Sequence, residues 1–403
     1  MKKSAAAWVL GLGLLAAVVV LPQNVARPQT TPEGNSSKPA PEDIPPVRMI
    51  ADPYPAFNGI AVDPQRGFVA MSDPNRKSLL LYDQARGASE DGAISAPLRQ
   101  IAGPATYLGM IAGVVLDSRR QEIYTVNNDI EDTVVVMPYA GFGDAKPSRV
   151  FSVPHQSWGL ALGNAADQIA VTVEIQNTIA FYRRQVTGVE APLRLIRGQA
   201  TGLADPHGIY WDESHDEIGV ANHGNFRGLV KNTGGGCEES PVVDDGAEAG
   251  ESRPPSIRIF PAGAKGDVKP LRVIEGSRTL LDWPMGVAYD PRHDAIVVAN
   301  NGDDSILIYG RASNGDIAPV RVIRGDRTGM SRPIGIAVDA EKGEIWVSNW
   351  GDHSALAFDS AGQGNIAPKE VIRSAPAGTP TPGFGNPMAL AYDSKREALL
   401  VPN

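Results

Sequence analysis

Short apolar runs, each bounded by Gly, Pro, Asn or Asp, recur along most of the chain. The most regular is a phrase of the type Gly-Ile-Ala-Val-Asp, found at 59–63 and 335–339. An apolar run ending in Asn follows it, as at 345–349, and a Pro-x-Arg-x-Ile phrase such as 319–323 ends the unit. Continuous apolar runs of this length predict strands covered on both faces, and the proline confines the last phrase to an edge strand.

The unit repeats. Copies of the first phrase begin at Gly59, Gly113, Gly159, Gly208, Gly286, Gly335 and Ala389. The prolines of the last phrase lie at 46, 97, 147, 192, 270, 319 and 368, so that most intervals are close to 50 residues. A period of this size with four strand signals, which we name a to d from the axis outward, is typical of a propeller. We therefore expect an all-β, seven-bladed β-propeller of four-stranded antiparallel blades; a six-bladed ring is the alternative if one phrase is spurious.

The two ends of the repeat are incomplete in a complementary way. The phrase at 46–50 precedes the first strand a, and the last copy supplies only strands a and b, at 389–393 and 398–403. We therefore expect the N-terminal phrase to close the last blade as its strand d, which would remove an open sheet edge.

The N-terminus carries an export pattern. Lys2 and Lys3 precede an uncharged apolar stretch at 5–21, so residues 1–26 are interpreted as a signal peptide or an N-terminal membrane anchor. Residues 27–45 are rich in proline and are predicted to be a disordered linker, and the propeller is expected to span 46–403. The expected location is extracytoplasmic, periplasmic or secreted, with membrane contact only through this segment. Cys237 is the only cysteine, which excludes an internal disulfide.

The repeated phrases resemble those of NHL-repeat propellers of the bacterial exported type. The resemblance lies in the phrase at 333–339 followed by the strand at 344–349, and it recurs from about residue 47 to 403. It implies the fold; for activity it leaves open protein-binding scaffolds, gluconolactonase-like hydrolases and an amidating lyase.

Candidate chemistry lies on the propeller face that carries the d–a and b–c loops. His155, His207, His223 and Glu174 fall in neighbouring loops there and are the candidate ligands of a divalent cation, zinc or a similar ion. His353 lies on the same face, whereas His215 and His293 fall in a–b turns on the opposite face. In the same channel mouth, Trp283 and Trp350 are candidates for stacking on a sugar or peptide.

A second set of polar residues ends the b strands and forms a ring at the channel mouth: Asp73, Asn127, Asn222, Asn300 and Asn349. Amide and carboxylate oxygens of such a ring could hold Ca²⁺, but their repetition in nearly every blade favours closure of each local turn.

A long insertion, residues 228–255, interrupts the fourth unit and is rich in Gly and acidic residues. Its composition indicates a mobile acidic flap or plain disorder. The net charge of −9 argues against a nucleic-acid partner. The leading hypothesis is a binding or scaffolding module for a protein, peptide or carbohydrate; the alternative is a metal-dependent hydrolase or lyase.

Overall fold

A computed structural model of the chain describes residues 17–20, 52–85, 92–129, 131–226, 251–382, 391–393, 395 and 398–401. They belong to two compact units, one spanning Tyr54–Thr381 and a smaller one composed of Met1–Pro53 and Pro382–Asn403. The phrase at 46–50 and most of the insertion, including Cys237, lie outside the described residues.

The larger unit contains six four-stranded antiparallel sheets, each built from consecutive strands a, b, c and d. In chain order, strands a are Ile60–Asp63, Ile111–Asp117, Ser157–Gly163, Pro206–Asp212, Pro284–Asp290 and Pro333–Asp339. Strands b are Phe68–Asp73, Glu122–Asn127, Gln168–Val173, Glu217–Asn222, Ala295–Asn300 and Glu344–Asn349. Strands c are Ser78–Asp83, Thr133–Pro138, Thr178–Arg183, Ser256–Pro261, Ser305–Gly310 and Ser354–Asp359. Strands d are Arg99–Ala102, Arg149–Ser152, Arg194–Ile196, Arg272–Glu275, Arg321–Ile323 and Glu370–Arg373.

Short elements complete the unit. A two-stranded ladder joins Asn225–Phe226 to Glu251–Ser252, at the two ends of the insertion. Six single-turn 3₁₀ helices lie in the loops: Pro104–Thr106, Gln199–Thr201, Ser277–Thr279, Asn301–Asp303, Asp326–Thr328 and Trp350–Asp352. In five blades the a–b register shifts by one residue between the first residue pair and the residue after the repeated glycine, as between Pro333 and Ile336.

The core lies between the sheets. Six clusters of buried apolar side chains each join two neighbouring blades, because the apolar strands b and c present side chains to both neighbours. The cluster that joins blade 6 to blade 1 packs Phe57 and Met71 against Trp346 and Ile372, all almost fully buried. The ring is therefore closed by packing.

The prediction of seven blades is wrong, and the six-bladed alternative is correct. The repeated glycines show the closure directly. A Cβ atom added to Gly335 would lie 2.6 Å from the carbonyl oxygen of Asn58 in blade 1. The same close approach links the glycine of every other blade to the residue before the glycine of the next one. The seventh phrase has Ala389 at this position, and alanine carries the Cβ that the contact excludes.

The phrase at 46–50, predicted to complete the last blade, lies outside the described residues, so its pairing stays a prediction; the six blades close without it. Blade 6 already has its own strand d, and the Ser95 amide of blade 1 donates to the Arg373 carbonyl along that edge, at 2.8 Å. In the smaller unit, strands Ala391–Asp393 and Ala398–Val401 form a three-stranded sheet in which Ala17–Val20 pairs with Ala398–Val401. Among the described residues, no helix has the length and apolar character needed to cross a membrane.

Candidate functional site

A repeated backbone hydrogen bond builds the channel mouth. In blades 2 to 6 the amide that follows strand b donates to the carbonyl three residues before the strand-a glycine, as from His223 to Asp205 at 3.1 Å. In blade 3 the same bond joins Glu174 to Gln156, and in blade 5 it joins Asn301 to Trp283. The frame is constant, but the side chains that it holds beside the channel differ from blade to blade. A central channel of about 530 Å³ lies between the a strands, from Trp158 and Met285 near this face to Glu213 and Pro291 in the a–b turns of the opposite face.

Four rings form a continuous column across blades 3, 4 and 5. The imidazoles of His207 and His223 are stacked with centroids 3.6 Å apart. Trp158 lies on the outer side of His207 at 4.8 Å, and Trp283 on the outer side of His223 at 4.7 Å. Both imidazoles are buried, whereas Trp283 is 45% exposed. The Trp158 ring is tilted by 54° against His207, and the Trp283 ring by 33° against His223.

Asp205 lies beside the edges of both imidazoles. Its Oδ1 is 3.5 Å from Nδ1 of His207, and its Oδ2 is 3.6 Å from Nδ1 of His223. Asn225 donates a hydrogen bond to Oδ2 at 3.0 Å. Within the described part of the chain, neither buried ring nitrogen of His223 has a hydrogen-bond partner. Ligand atoms of Asp205, His207 and His223 all lie within 4.8 Å of one another, but the stacked imidazoles cannot both direct a ring nitrogen at one ion. Nδ1 of His207 is also bonded to the backbone carbonyl of Asp205 at 3.2 Å.

Glu174 lies on the other edge of His207. Its Oε1 is 3.5 Å from Nε2 of His207 and accepts a hydrogen bond from the Asn128 amide at 3.0 Å. Burial raises the pKa of Glu174 to about 7, although positive charge on His207 opposes the rise. This carboxyl group therefore titrates near neutral pH.

The pKa values of His207 and Asp205 are also shifted. Burial lowers the pKa of His207, and positive charge on His223 lowers it further. Burial alone would raise the pKa of Asp205, but the neighbouring His223 and His207 lower it to about 2. At neutral pH the site thus combines a carboxylate with a neutral imidazole, the protonation states that bind metals.

His155 lies apart from this group. It is half-exposed, and its Nδ1 is paired with Asp132 at 2.9 Å. His353 is buried, and its Nδ1 is bonded to the carbonyl of Pro55 at 2.7 Å. On the opposite face, His215 and His293 each contact the aspartate three residues earlier.

The ring of residues that end the b strands is occupied by hydrogen bonds within each blade. Oδ1 of Asn349 accepts from the Ser331 amide at 2.6 Å, and its Nδ2 donates to the Gly329 carbonyl at 3.0 Å. Asn127, Asn222 and Asn300 make the equivalent pair of bonds to the loop before their own strand a. Asp73 accepts from the Ala56 amide and from Ser78. These side chains hold the d–a loops in place.

The two tryptophans have different surroundings. Trp283 stacks on His223 and has a left-handed backbone, with φ of 54°. The equivalent residues of blades 3, 4 and 6, Gln156, Asp205 and Arg332, are also left-handed, so this conformation belongs to the repeated loop. Trp350 begins a 3₁₀ helix, and its indole nitrogen is buried without a hydrogen-bond partner among the described residues.

Sequence reasoning missed Asp205. The residue precedes Pro206 and is interpreted most simply as a turn residue. A usable signal was the spacing of Asp205 and His207, which places two potential ligands on either side of one proline at the start of a strand.

Comparison with known proteins bears on the fold. No protein-family model matches the chain, and no curated protein matches it. A chain of the nidogen/laminin complex is 14% identical with a TM-score of 0.49, covering 79% of this chain and 93% of that one. A chain of hydrazine synthase from Kuenenia stuttgartiensis is 13% identical with a TM-score of 0.50, covering 75% of this chain and 83% of that one. At this identity the likeness to hydrazine synthase concerns the fold alone, and it agrees with the six four-stranded sheets of a β-propeller.

Proposed function

We propose that this chain is an exported propeller of the NHL type that acts as a binding module through the face carrying its b–c and d–a loops. The observation that supports this most strongly is the contrast between the two faces. The a–b turns of four blades repeat one structural pair, an aspartate with a basic residue three positions later: Asp63 with Arg66, Asp117 with Arg120, Asp212 with His215 and Asp290 with His293. The opposite face combines a constant backbone frame with side chains that change from blade to blade. Chemistry specific to a ligand is concentrated where the repeat varies.

The partner proposed is a peptide, a carbohydrate or a protein surface. Trp283 supports this because a large part of its ring is exposed beside the buried imidazoles. An exposed aromatic ring next to polar groups is a frequent anchor in binding interfaces.

Binding of peptide and glycan libraries would test the proposal. Ligands bound by the wild-type protein should be lost on Trp283→Ala and kept on Phe142→Ala. The second variant is the matched control, because Phe142 is an aromatic residue, 72% exposed, in a c–d turn on the opposite face. Ligands lost only in Phe142→Ala would move the binding surface to that face and overturn the proposal.

A metal-dependent hydrolase or lyase is the second candidate, and Glu174 is the observation that favours it. A buried carboxyl group with a pKa of about 7 beside His207 suits proton transfer near neutral pH. Hydrolysis of lactones and esters with added Zn²⁺ tests it. Turnover should fall sharply in Glu174→Gln and persist in His215→Ala; equal turnover in both variants would reject it.

Export is proposed from Lys2, Lys3 and the apolar stretch at 5–21. Fractionation of cells that produce the full chain, followed by N-terminal sequencing, should find the protein outside the cytoplasm. It should begin near residue 27 if the segment is a cleaved signal, and at residue 1 if the segment is an anchor. Recovery from the cytoplasm alone would contradict export.

A further inference from the structure

We propose that the end of the central channel on the face of the a–b turns is a binding site for a small, neutral aromatic molecule. This face is opposite to the one proposed above for peptides, carbohydrates or proteins, so the site is a second one. Each blade contributes to it the residue before the last residue of its strand a: Val62, Leu116, Leu162, Trp211, Tyr289 and Val338. We call these six residues the apolar ring.

The apolar ring is accessible, whereas the other end of the channel is covered. All six side chains of the ring line the channel and are only partly buried. At the other end, the residues before the repeated glycines are buried in five of the six blades: Asn58, Ala112, His207, Met285 and Ile334. A molecule that enters from the face of the a–b turns therefore meets the apolar ring before it reaches the covered end. The channel volume of about 530 Å³ lies within the range of roughly 300–1,000 Å³ that small-molecule pockets occupy.

The repeat is broken in blade 3 at the place where the Trp211 indole lies. Strand a ends in aspartate in five blades, but in blade 3 it ends in Gly163. A Cβ atom added to Gly163 would lie 2.6 Å from a carbon of the Trp211 indole. The backbone of Gly163 is not left-handed, so the turn itself does not require a glycine. The glycine is required by the indole.

This exchange has a structural cost. In blades 1, 2 and 6 the aspartate at this position accepts a hydrogen bond from the backbone amide three residues later, as from Lys342 to Asp339 at 2.9 Å. Blade 3 has no carboxylate there to hold its turn. A local rule that five blades obey and one breaks is expected where function requires it. The indole is therefore the part of the ring that we assign to a ligand.

Neighbouring side chains hold both aromatic rings in place. The Trp211 ring contacts the Phe181 ring at right angles, with centroids 5.8 Å apart. The Tyr289 hydroxyl donates to Asp294 at 2.9 Å, and its ring is stacked on that of Tyr210 with centroids 6.2 Å apart. Rings that are already ordered lose little conformational entropy when a ligand binds.

The chemistry of the ring selects the class of ligand. Its six side chains carry no charge, and the polar side chains of the adjoining turn are already bonded. Ser214 and His215 bond to Asp212, and Glu213 accepts from the Ala165 amide at 2.6 Å. An ion or a sugar placed against the ring would lose water without gaining hydrogen bonds from it. A flat apolar ring would instead gain contact with the indole and the phenol.

The backbone above the ring can accommodate one polar substituent. Strand a has a strand partner on one side only in every blade, and its other edge faces the channel. Amide and carbonyl groups along such an edge are available for hydrogen bonds. A neutral aromatic molecule with one amine or hydroxyl group therefore fits the site best.

Binding of N-phenyl-1-naphthylamine, a neutral aromatic probe whose emission rises in apolar surroundings, tests the inference. The full chain should show one saturable site per molecule. Trp211→Ala should weaken binding by about tenfold or more, because it removes the largest aromatic surface of the ring. Trp283→Ala is the matched control, since it removes a tryptophan from the opposite face and should leave the affinity for the probe unchanged.

Tyr289→Leu is the second variant, because Trp211 packs against the core between blades 3 and 4 and its removal can destabilise the fold. Leucine keeps the ring apolar, so this variant should stay folded and bind the probe more weakly than the wild-type protein. Absence of saturable binding by the wild-type protein would overturn the inference, as would equal affinity in Trp211→Ala, Tyr289→Leu and the wild-type protein. Displacement of the probe by maltotriose but not by 1-naphthol would overturn the class of ligand.

The result is separable from the proposed function. Peptide or glycan binding that depends on Trp283, in a protein that does not bind the probe, would reject the channel site alone. Probe binding that depends on Trp211, with no ligand dependent on Trp283, would reject the binding module alone.

Discussion

The imidazole rings of His207 and His223 lie face to face, with planes 21° from parallel and centroids 3.6 Å apart. Two protonated imidazoles at this separation would repel each other strongly. The arrangement therefore requires that at least one ring is neutral, in agreement with the lowered pKa of His207.

Trp283 is expected to act as the aromatic anchor of the proposed binding face. Trp283→Ala should change the free energy of unfolding by about 1 kcal/mol or less, because the ring is half exposed. The same change should weaken binding of a peptide or glycan ligand by about tenfold or more, since the exposed ring is lost from the proposed binding face. Calorimetric titration measures this. Leu280→Ala, which shortens another exposed side chain of the same loop, should leave the affinity unchanged, and an equal loss in both variants would contradict the role.

Closure of the ring gives a prediction about Gly335. Its added Cβ would lie 2.6 Å from the Asn58 carbonyl and 2.9 Å from the Ile60 amide, both backbone atoms of blade 1. Gly335→Ala should therefore lower the free energy of unfolding by about 1–3 kcal/mol, the usual cost of overpacking. Gly263→Ala is the control, because nothing lies within 4 Å of an added Cβ there. Similar melting temperatures for the two variants would show that blades 1 and 6 are not packed this closely.

Arg272 joins strand d to strand b of blade 4. Its two terminal nitrogens contact the two oxygens of Glu217 at 2.8 and 2.5 Å, and both side chains are largely buried. Arg272→Met leaves a buried carboxylate with one partner fewer and should cost about 2 kcal/mol in denaturant unfolding. Arg278→Met removes an arginine whose side chain is 70% exposed and should cost almost nothing. A negligible effect of both changes would show that this ion pair does not stabilise the blade.

Arg272 also shows what could not be predicted from sequence. The repeated Pro-x-Arg phrase located the edge strands, because proline cannot donate to a ladder. The phrase did not reveal which residue pairs with the arginine. Glu217 lies 55 residues before Arg272 in the sequence, and the two side chains meet only when the strands of blade 4 assemble.

The candidate site was predictable to a similar extent. Strand order alone places the loops of His207, His223 and Trp283 on one face. That Asp205 lies beside the two stacked histidines, and that His155 lies apart from them, depends on the directions of their side chains. The backbone of Asp205 itself is left-handed, with φ of 59°. No local pattern encodes those directions. The feature of the sequence that distinguishes six blades from seven is Ala389, which stands where the other six phrases have glycine.

Asp73 offers a test of buried charge that is independent of the site. It ends strand b of blade 1 where four other blades have asparagine. Burial raises its pKa from 3.8 to about 6, although hydrogen bonds from the Ala56 amide and Ser78 oppose the rise. Between these pH values the folded protein holds a proton that the unfolded chain has lost, so the free energy of unfolding falls as the pH rises.

Asp73→Asn should remove this pH dependence. The variant should be more stable than the wild-type protein by about 2 kcal/mol at pH 7–8, and the difference should shrink towards zero near pH 4. An asparagine can keep the bond from the Ala56 amide and donate to Ser78, as Asn300 donates to Ser305 at 3.3 Å. Denaturant unfolding at several pH values measures the effect. The reverse change in blade 5, Asn300→Asp, should create the same pH dependence, because the new carboxylate would be buried beside Asp303. Parallel stability curves for Asp73→Asn and the wild-type protein would show that Asp73 is ionised throughout and that its hydrogen bonds outweigh its burial.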